Sequence, residues 1–210
     1  MTENRTPEQK TTRRRKVQAV LAGGLVLGVG AAVTLAAWND SEFAEGLFGS
    51  ASFNLEGSTD GSDYDEHDTA AEAAQLTFAA DNMTPGQTVY APFYVRLDAD
   101  TTINGTVEAS DGIGVVSSSG ENADHMSYEV YADPDNCNAA DASSGTSVAS
   151  GADLSTGIGS TTTFDLTAGD GAAGTPVLLC FEVSASDDDF VQADTTEVIW
   201  EVTATSVDTP

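Results

Sequence analysis

The chain has 210 residues, with 34 acidic residues against seven basic ones and a net charge of −27. Residues 1–36 hold six of the seven basic residues and only two of the acids, so the chain beyond residue 36 sets 32 acids against one base, Arg96. Such a field repels phosphate backbones and anionic lipid surfaces, which excludes nucleic acid as a partner of this region.

The first element in the chain is topogenic. Arg13, Arg14, Arg15 and Lys16 precede an apolar run from Val17 to Trp38, which closes on Thr34-Leu35-Ala36-Ala37 before polarity returns at Asn39-Asp40. Basic residues stay on the cytoplasmic side, so everything after Trp38 is expected outside. Two fates share that orientation. As a secretory signal, the run offers the small residues Thr34 and Ala36 to a signal peptidase and leaves Ala37 as the new N-terminus. As an anchor, it is long enough to span a bilayer, and an uncleaved signal would be the chain's contact with a membrane. The many glycines and alanines between Gly23 and Ala32 make it weakly hydrophobic for a span, which favours cleavage. The expected organisation is a basic segment plus signal peptide over 1–36 and one exported domain over 37–210.

The exported part contains both tryptophans, all five tyrosines and all eight phenylalanines, mostly in alternating segments, which argues for a folded domain rather than disorder. Its acidic, lysine-free composition suits either high salt or the habit of a high-GC genome. Cys137 and Cys180 meet oxidising conditions outside the cell, so a disulfide is the plain inference, with free thiols or a metal-bound pair as the alternative.

Strand alternation begins at 46–56, where Leu47, Ala51, Phe53 and Leu55 share a face. An acidic loop follows over 57–72. Residues 75–78 read as a short strand, ended by the Pro85-Gly86 turn. Residues 87–97 give the clearest pattern: Val89, Ala91, Phe93, Val95 and Leu97 on one face, Tyr90, Tyr94 and Arg96 on the other. Pro92 removes a ladder donor, so this strand is expected at an edge or with a bulge. Further strands are expected over 101–108, 126–131, 161–167, 177–185 and 196–207. The Ala/Ser/Gly/Asp-rich stretch 132–160 reads as a long surface excursion tethered through Cys137. Only 69–74 hints at a helical period. Short strands separated by Gly, Asp and Pro turns describe an all-β protein, an antiparallel β-sandwich, jelly-roll-like, with long acidic loops.

Three motifs carry a resemblance. Ala37-Trp38-Asn39-Asp40 follows the small-residue exit of the apolar run, Gly46 through Leu55 forms a G-x-F-x-S-x-x-F-x-L strand, and Met83 through Gln87 forms an M-T-P-G-Q turn opening the next strand. Together they resemble the TasA/camelysin-like exported proteins, whose signals are processed by a SipW-type peptidase. The likeness is specific over roughly residues 13–97 and architectural beyond; composition and signal look most like actinobacterial members. It implies a jelly-roll-like sandwich at the cell surface or in a matrix, and fibres in which the N-terminal segment of one subunit completes a neighbour's sheet. The residues this assigns to assembly are Ala37, Trp38, Phe43, Leu47 and Phe48, and the partner is a second copy of the chain. Strand addition needs an extended, alternating segment free at one end, which 37–48 supplies after cleavage; the alternative is that it folds onto its own domain.

Camelysin-like relatives have been classed as metallopeptidases, but this chain holds only His67 and His125 and lacks H-E-x-x-H. It has no lysine after Lys16 and no G-x-S-x-G elbow, so no enzymatic activity is expected. Asp60, Asp63, Asp65 and Asp68 in the acidic loop are candidate Ca2+ ligands, although their spacing is not that of an EF-hand and a solvated acidic face is the plainer account. Asp187-Asp188-Asp189 is a second acidic run. The Tyr90/Tyr94 face with Pro92 marks either an edge for a partner strand or packing under a loop. The expected function is a secreted structural protein of the cell surface or biofilm matrix, a fibre subunit; the alternative is a monomeric, calcium-binding adhesion module.

Overall fold

Alternating apolar residues dictate the architecture, because each strand must bury one face and wet the other. The computed structural model describes residues 12–22, 50–78, 82–110, 112–155 and 162–207. By internal contacts the chain divides into Met1–Phe48 and Gly49–Pro210. In the first unit, residues 12–22 are helical with Val17, Val20 and Leu21 exposed. Among the described residues no helix is long and apolar enough to cross a membrane. Thr34, Ala36, Ala37, Trp38, Phe43, Leu47 and Phe48 lie outside the described residues, as does most of the apolar run.

The second unit is all-β and antiparallel. Its described strands are β1 (Leu55–Ser58), β2 (Thr88–Leu97), β3 (Gly105–Val107), β4 (Ile113–Ser119), β5 (Met126–Ala132), β6 (Thr146–Gly151), β7 (Phe164–Leu166), β8 (Val177–Ala185), β9 (Glu197–Val202) and β10 (Thr205–Ser206). Five of them form one sheet in the order β1-β2-β8-β5-β6, while β10-β3-β7 and β4-β9 form two smaller ones. The smaller sheets run into each other: Thr203 N–H donates to Gly112 O at 2.7 Å, bridging the break between β4-β9 and β3-β10.

The core lies between these layers. From β2 come Val89, Ala91, Val95 and Leu97, and from β8 come Val177, Leu179, Phe181 and Val183, all buried. Against them β9 presents Trp200, whose ring centroid stands 5.0 Å from that of Phe181 and 5.9 Å from that of Tyr128 on β5. Phe181 and Leu179 are essentially inaccessible to solvent, each such side chain contributing about 2–3 kcal/mol by area burial. At the sheet's end, buried Asn122 ties down the loop before β9. Its amide donates to Val191 O and accepts from Val191 N–H, at 3.0 and 2.7 Å.

Several expectations are corrected. Of the strand expected over 46–56, residues 46–49 lie outside the described residues, 50–54 form no strand, and the strand begins at Leu55 and continues into the expected loop. Residues 52–54 instead lie against 98–102, with Thr102 N–H donating to Ser52 O and Asp98 N–H to Asn54 O. Residues 75–78 form no ladder, although Leu76 and Phe78 pack on the core. The 69–74 hint becomes a single 3-10 turn, Ala70–Glu72. The strand expected over 196–207 is split at 203–204 into β9 and β10. β4 and β6 were not expected at all.

Pro92 does not put β2 at the outside of the sheet, since β2 lies between β1 and β8. The register explains how it is tolerated. Ala185 N–H bonds to Gln87 O, which makes the odd-numbered residues of β2 the hydrogen-bonded rungs toward β8. Pro92 therefore faces the other side, where β1 pairs with Tyr94–Leu97 only. Among the described residues its half of the strand is locally an edge.

Candidate functional site

Hydrogen bonds among its own groups shape the acidic loop after β1. Asp60 Oδ1 accepts from Ser62 N–H at 2.7 Å, from Asp63 N–H at 3.0 Å and from Ser58 Oγ at 3.0 Å. These donors hold its carboxyl below the ordinary 3.8, backbone N–H groups first. Gly61 turns the chain at φ +75°, directly over the Tyr94 ring. Asp65 then exchanges both backbone bonds with Gly57 at 3.0 Å, adding a bridge outside β1. Asp63 and Asp68 point to solvent. The four candidate calcium ligands are thus not brought together, and among the described residues no three acidic, histidine or cysteine side chains converge on a metal position.

Arg96 pins this loop to the sheet. Its Nε donates to Glu56 Oε1 at 2.5 Å, and its guanidinium carbon lies 3.6 Å from the centroid of the Tyr64 ring. Of the two readings of the Tyr90/Tyr94 face, Tyr94 is packed under a loop. Tyr64 Oη and His67 Nδ1, both in the loop, are buried without a protein partner, as is Trp200 Nε1 in the core.

Cys137 and Cys180 form the inferred disulfide, with Cα atoms 5.1 Å apart. It fixes the excursion after β5 to the centre of β8, on the face away from the core. The excursion is not featureless. Asp133 takes a left-handed φ of 52° and donates its N–H to Leu178 O at 2.8 Å. Asp141 Oδ2 accepts the amides of Asn136 and Asn138, each at 3.0 Å, and a 3-10 turn at Ala142–Ser144 leads back into β6.

The same outer face carries residues that sequence reasoning missed. The pairing of β8 with both neighbours lines up Tyr90, Glu182 and Glu129 in one rung, and Pro92, Cys180 and Tyr131 in the next. All of these except the buried Cys180 are half-buried. Tyr90 is hydrogen-bonded to Glu182, and Tyr131 to Glu129. Ser147 Oγ on β6 also donates to Glu129, at 2.7 Å. Burial and the neighbouring Glu129 push the Glu182 carboxyl above the ordinary 4.5. The Tyr131 phenol is pushed far up, by burial first and then by its bond to Glu129.

Around the end of this face, Asp124, His125, Ser127, Ser184 and Ser186 line a shallow polar depression of about 160 Å³. Ser184 Oγ is spent on Thr88 Oγ1 at 2.7 Å, and no hydroxyl–imidazole–carboxylate relay is assembled there among the described residues. Comparison with protein-family models gives no match, and comparison with characterised proteins gives none either.

Proposed function

We propose that this is an exported structural protein of the cell surface or extracellular matrix, and that copies join when residues 37–48 of one add a strand to a sheet edge of another. The observation that carries the reading is the placement of β1. The first strand of the domain is an edge strand, and it pairs with only the Tyr94–Leu97 half of β2. Among the described residues the Thr88–Phe93 half has no strand neighbour on that side, and an open ladder edge is what strand addition requires. Residues 37–48 lie just upstream of this edge in sequence and carry Trp38, Phe43, Leu47 and Phe48 as apolar side chains for a partner's sheet. Export is supported by the basic cluster, the apolar run and the disulfide. The reading assigns the protein no catalysis.

Negative-stain electron microscopy tests it on protein beginning at Ala37 beside protein beginning at Gly49, the first residue of the second unit. Filaments from the first and none from the second are expected. Monodisperse particles from both would overturn self-assembly and favour a monomeric extracellular binding module.

A further inference from the structure

β1 is an edge strand of the five-stranded sheet, and the backbone groups along it divide between its two sides. Asp98 N–H reaches Asn54 O, Thr102 N–H reaches Ser52 O, and Asn54 N–H reaches Thr101 Oγ1, so residues 52 and 54 are turned inward. Alternate residues of an extended chain point their N–H and C=O groups the opposite way, which leaves Phe53, Leu55 and Gly57 facing outward. Such an outward row is a template for another strand.

One outward rung is taken by the chain itself. Gly57 exchanges both backbone bonds with Asp65, each at 3.0 Å and in antiparallel sense. The side chains around Asp65 follow that register on alternate faces. On the outer face the Tyr64 ring lies under the Arg96 guanidinium, 3.6 Å from centroid to carbon, and Glu66 accepts the Asn54 amide. On the core face His67 stands edge-on to Phe93, with centroids 6.4 Å apart. Residues 64–67 therefore run along β1 as an unfinished sixth strand, joined to it by a single rung. Among the described residues nothing else pairs with β1 on that side.

We propose that residues 64–67 are an edge guard: they occupy the outer side of β1 and keep a second copy of the chain from pairing there, with the stack of Arg96 on Tyr64 as the latch. Register selects the occupant. Two copies of this edge related by a two-fold axis at Leu55 set Phe53 opposite Gly57 and Asn54 opposite Glu56. Outward rungs then meet outward rungs, and the acidic residue meets an amide rather than its own copy. When the guard leaves, Glu66 no longer holds that amide, which is freed for the Glu56 of the second copy. Residues 37–48 take no part, so the guard stands or falls separately from the assembly reading above.

The test is hydrogen exchange of the full-length chain at low and high protein concentration, read at the amides of Phe53, Leu55 and Gly57, in salt that screens the acidic surface. In wild type, Gly57 should be protected and Phe53 and Leu55 unprotected at both concentrations. Asp65→Pro removes the N–H donated to Gly57, and Tyr64→Ala removes the ring held by Arg96. In each, Gly57 should exchange about tenfold faster at low concentration, the worth of one hydrogen bond, and all three amides should become protected at high concentration. Tyr64→Phe keeps the ring and loses only an unpartnered hydroxyl, so it should behave as wild type. A thermal melt checks that each variant is folded, and if Asp65→Pro is not, Tyr64→Ala decides alone. The proposal is overturned if concentration leaves Phe53 and Leu55 unprotected in the opened variants, or protects them equally in wild type. Repeating the opened variants on protein beginning at Gly49 identifies the added strand. Protection that persists there is pairing of β1 with a second β1; protection that vanishes belongs to residues 37–48, which overturns this pairing while favouring the assembly reading.

Discussion

Replacing both Cys137 and Cys180 with alanine should lower stability by about 4–5 kcal/mol. The bond closes a separation of 43 residues, and the chain entropy restored to the unfolded state by opening such a loop is worth about 4 kcal/mol. Cys180 is fully buried, so its lost sulfur adds up to about 1 kcal/mol in packing, whereas half-buried Cys137 adds little. For a domain of this size each kcal/mol moves the melting temperature by about 2–4 °C, giving a fall of about 8–20 °C. Urea unfolding followed by circular dichroism adds a second observable. The unfolded chain, no longer cross-linked, exposes more surface, so the m-value should rise in the double variant and in reduced wild type. Cys137→Ala alone should lose nearly the full entropic part. A fall of less than about 3 °C with an unchanged m-value would refute the reasoning, because it would mean that the bond orders the 133–145 excursion locally and does not restrain the chain.

Arg96→Met should cost about 1–2 kcal/mol, between the worth of an exposed and a buried ion pair, and should make 59–68 the first site of limited proteolysis, since Glu56 loses its partner and Tyr64 its cation. Asp98 takes a 2.6 Å bond from Thr101 Oγ1 and a second from the Asn54 amide, which together hold its carboxyl below 3.8, Thr101 first. Its stabilisation is therefore present above pH 3.8 and is lost as pH falls through the folded value, so chemical denaturation should find Asp98→Ala weaker than wild type at pH 6 and the gap closing below about pH 3.8.

The strands legible in the sequence are those whose one face is filled by large apolar residues and whose length exceeds the noise of neighbouring turns. β2, β5 and β8 meet both conditions, and in β2 the apolar face of Val89, Ala91, Val95 and Leu97 is the buried one, with Phe93 half-buried. β6 meets neither. Its sequence is TSVASG, yet Val148 and Ala149 are completely buried, and Gly151 is required because the Tyr128 ring occupies the space a side chain would take. Small residues suffice there because the neighbouring strand supplies the bulk. β4, reading IGVVSSS, was missed for the same reason, and its bulge turns Val116 outward, breaking the alternation that would have revealed it. Residues 75–78 mislead in the opposite sense, because Leu76 and Phe78 pack inward while the backbone between them makes no ladder. The Glu129–Glu182 pair was beyond periodicity altogether. It depends on β5 and β8 being neighbours in a particular register, which topology decides.

One base among 32 acids dictates how the domain satisfies its carboxylates. Ion pairing is available to Glu56 through Arg96, so the other ordered carboxylates take N–H and O–H donors instead: Asp60 from its own turn, Asp98 from Thr101 and Asn54, Asp141 from two asparagine amides, Asp194 from Asn122 N–H and Thr196. Those bonds hold the carboxyls of Asp60, Asp98 and Asp194 below the ordinary aspartate range, so each favours the fold above that range and withdraws that support in strong acid. Glu182 runs the other way, raised by burial first and then by the Glu129 carboxylate across the β5–β8 pairing. The aspartates thus withdraw support in strong acid, whereas the half-buried Glu182 opposes the fold once its carboxyl is ionised. The net negative charge beyond residue 36 adds a general repulsion on the alkaline side that salt screens.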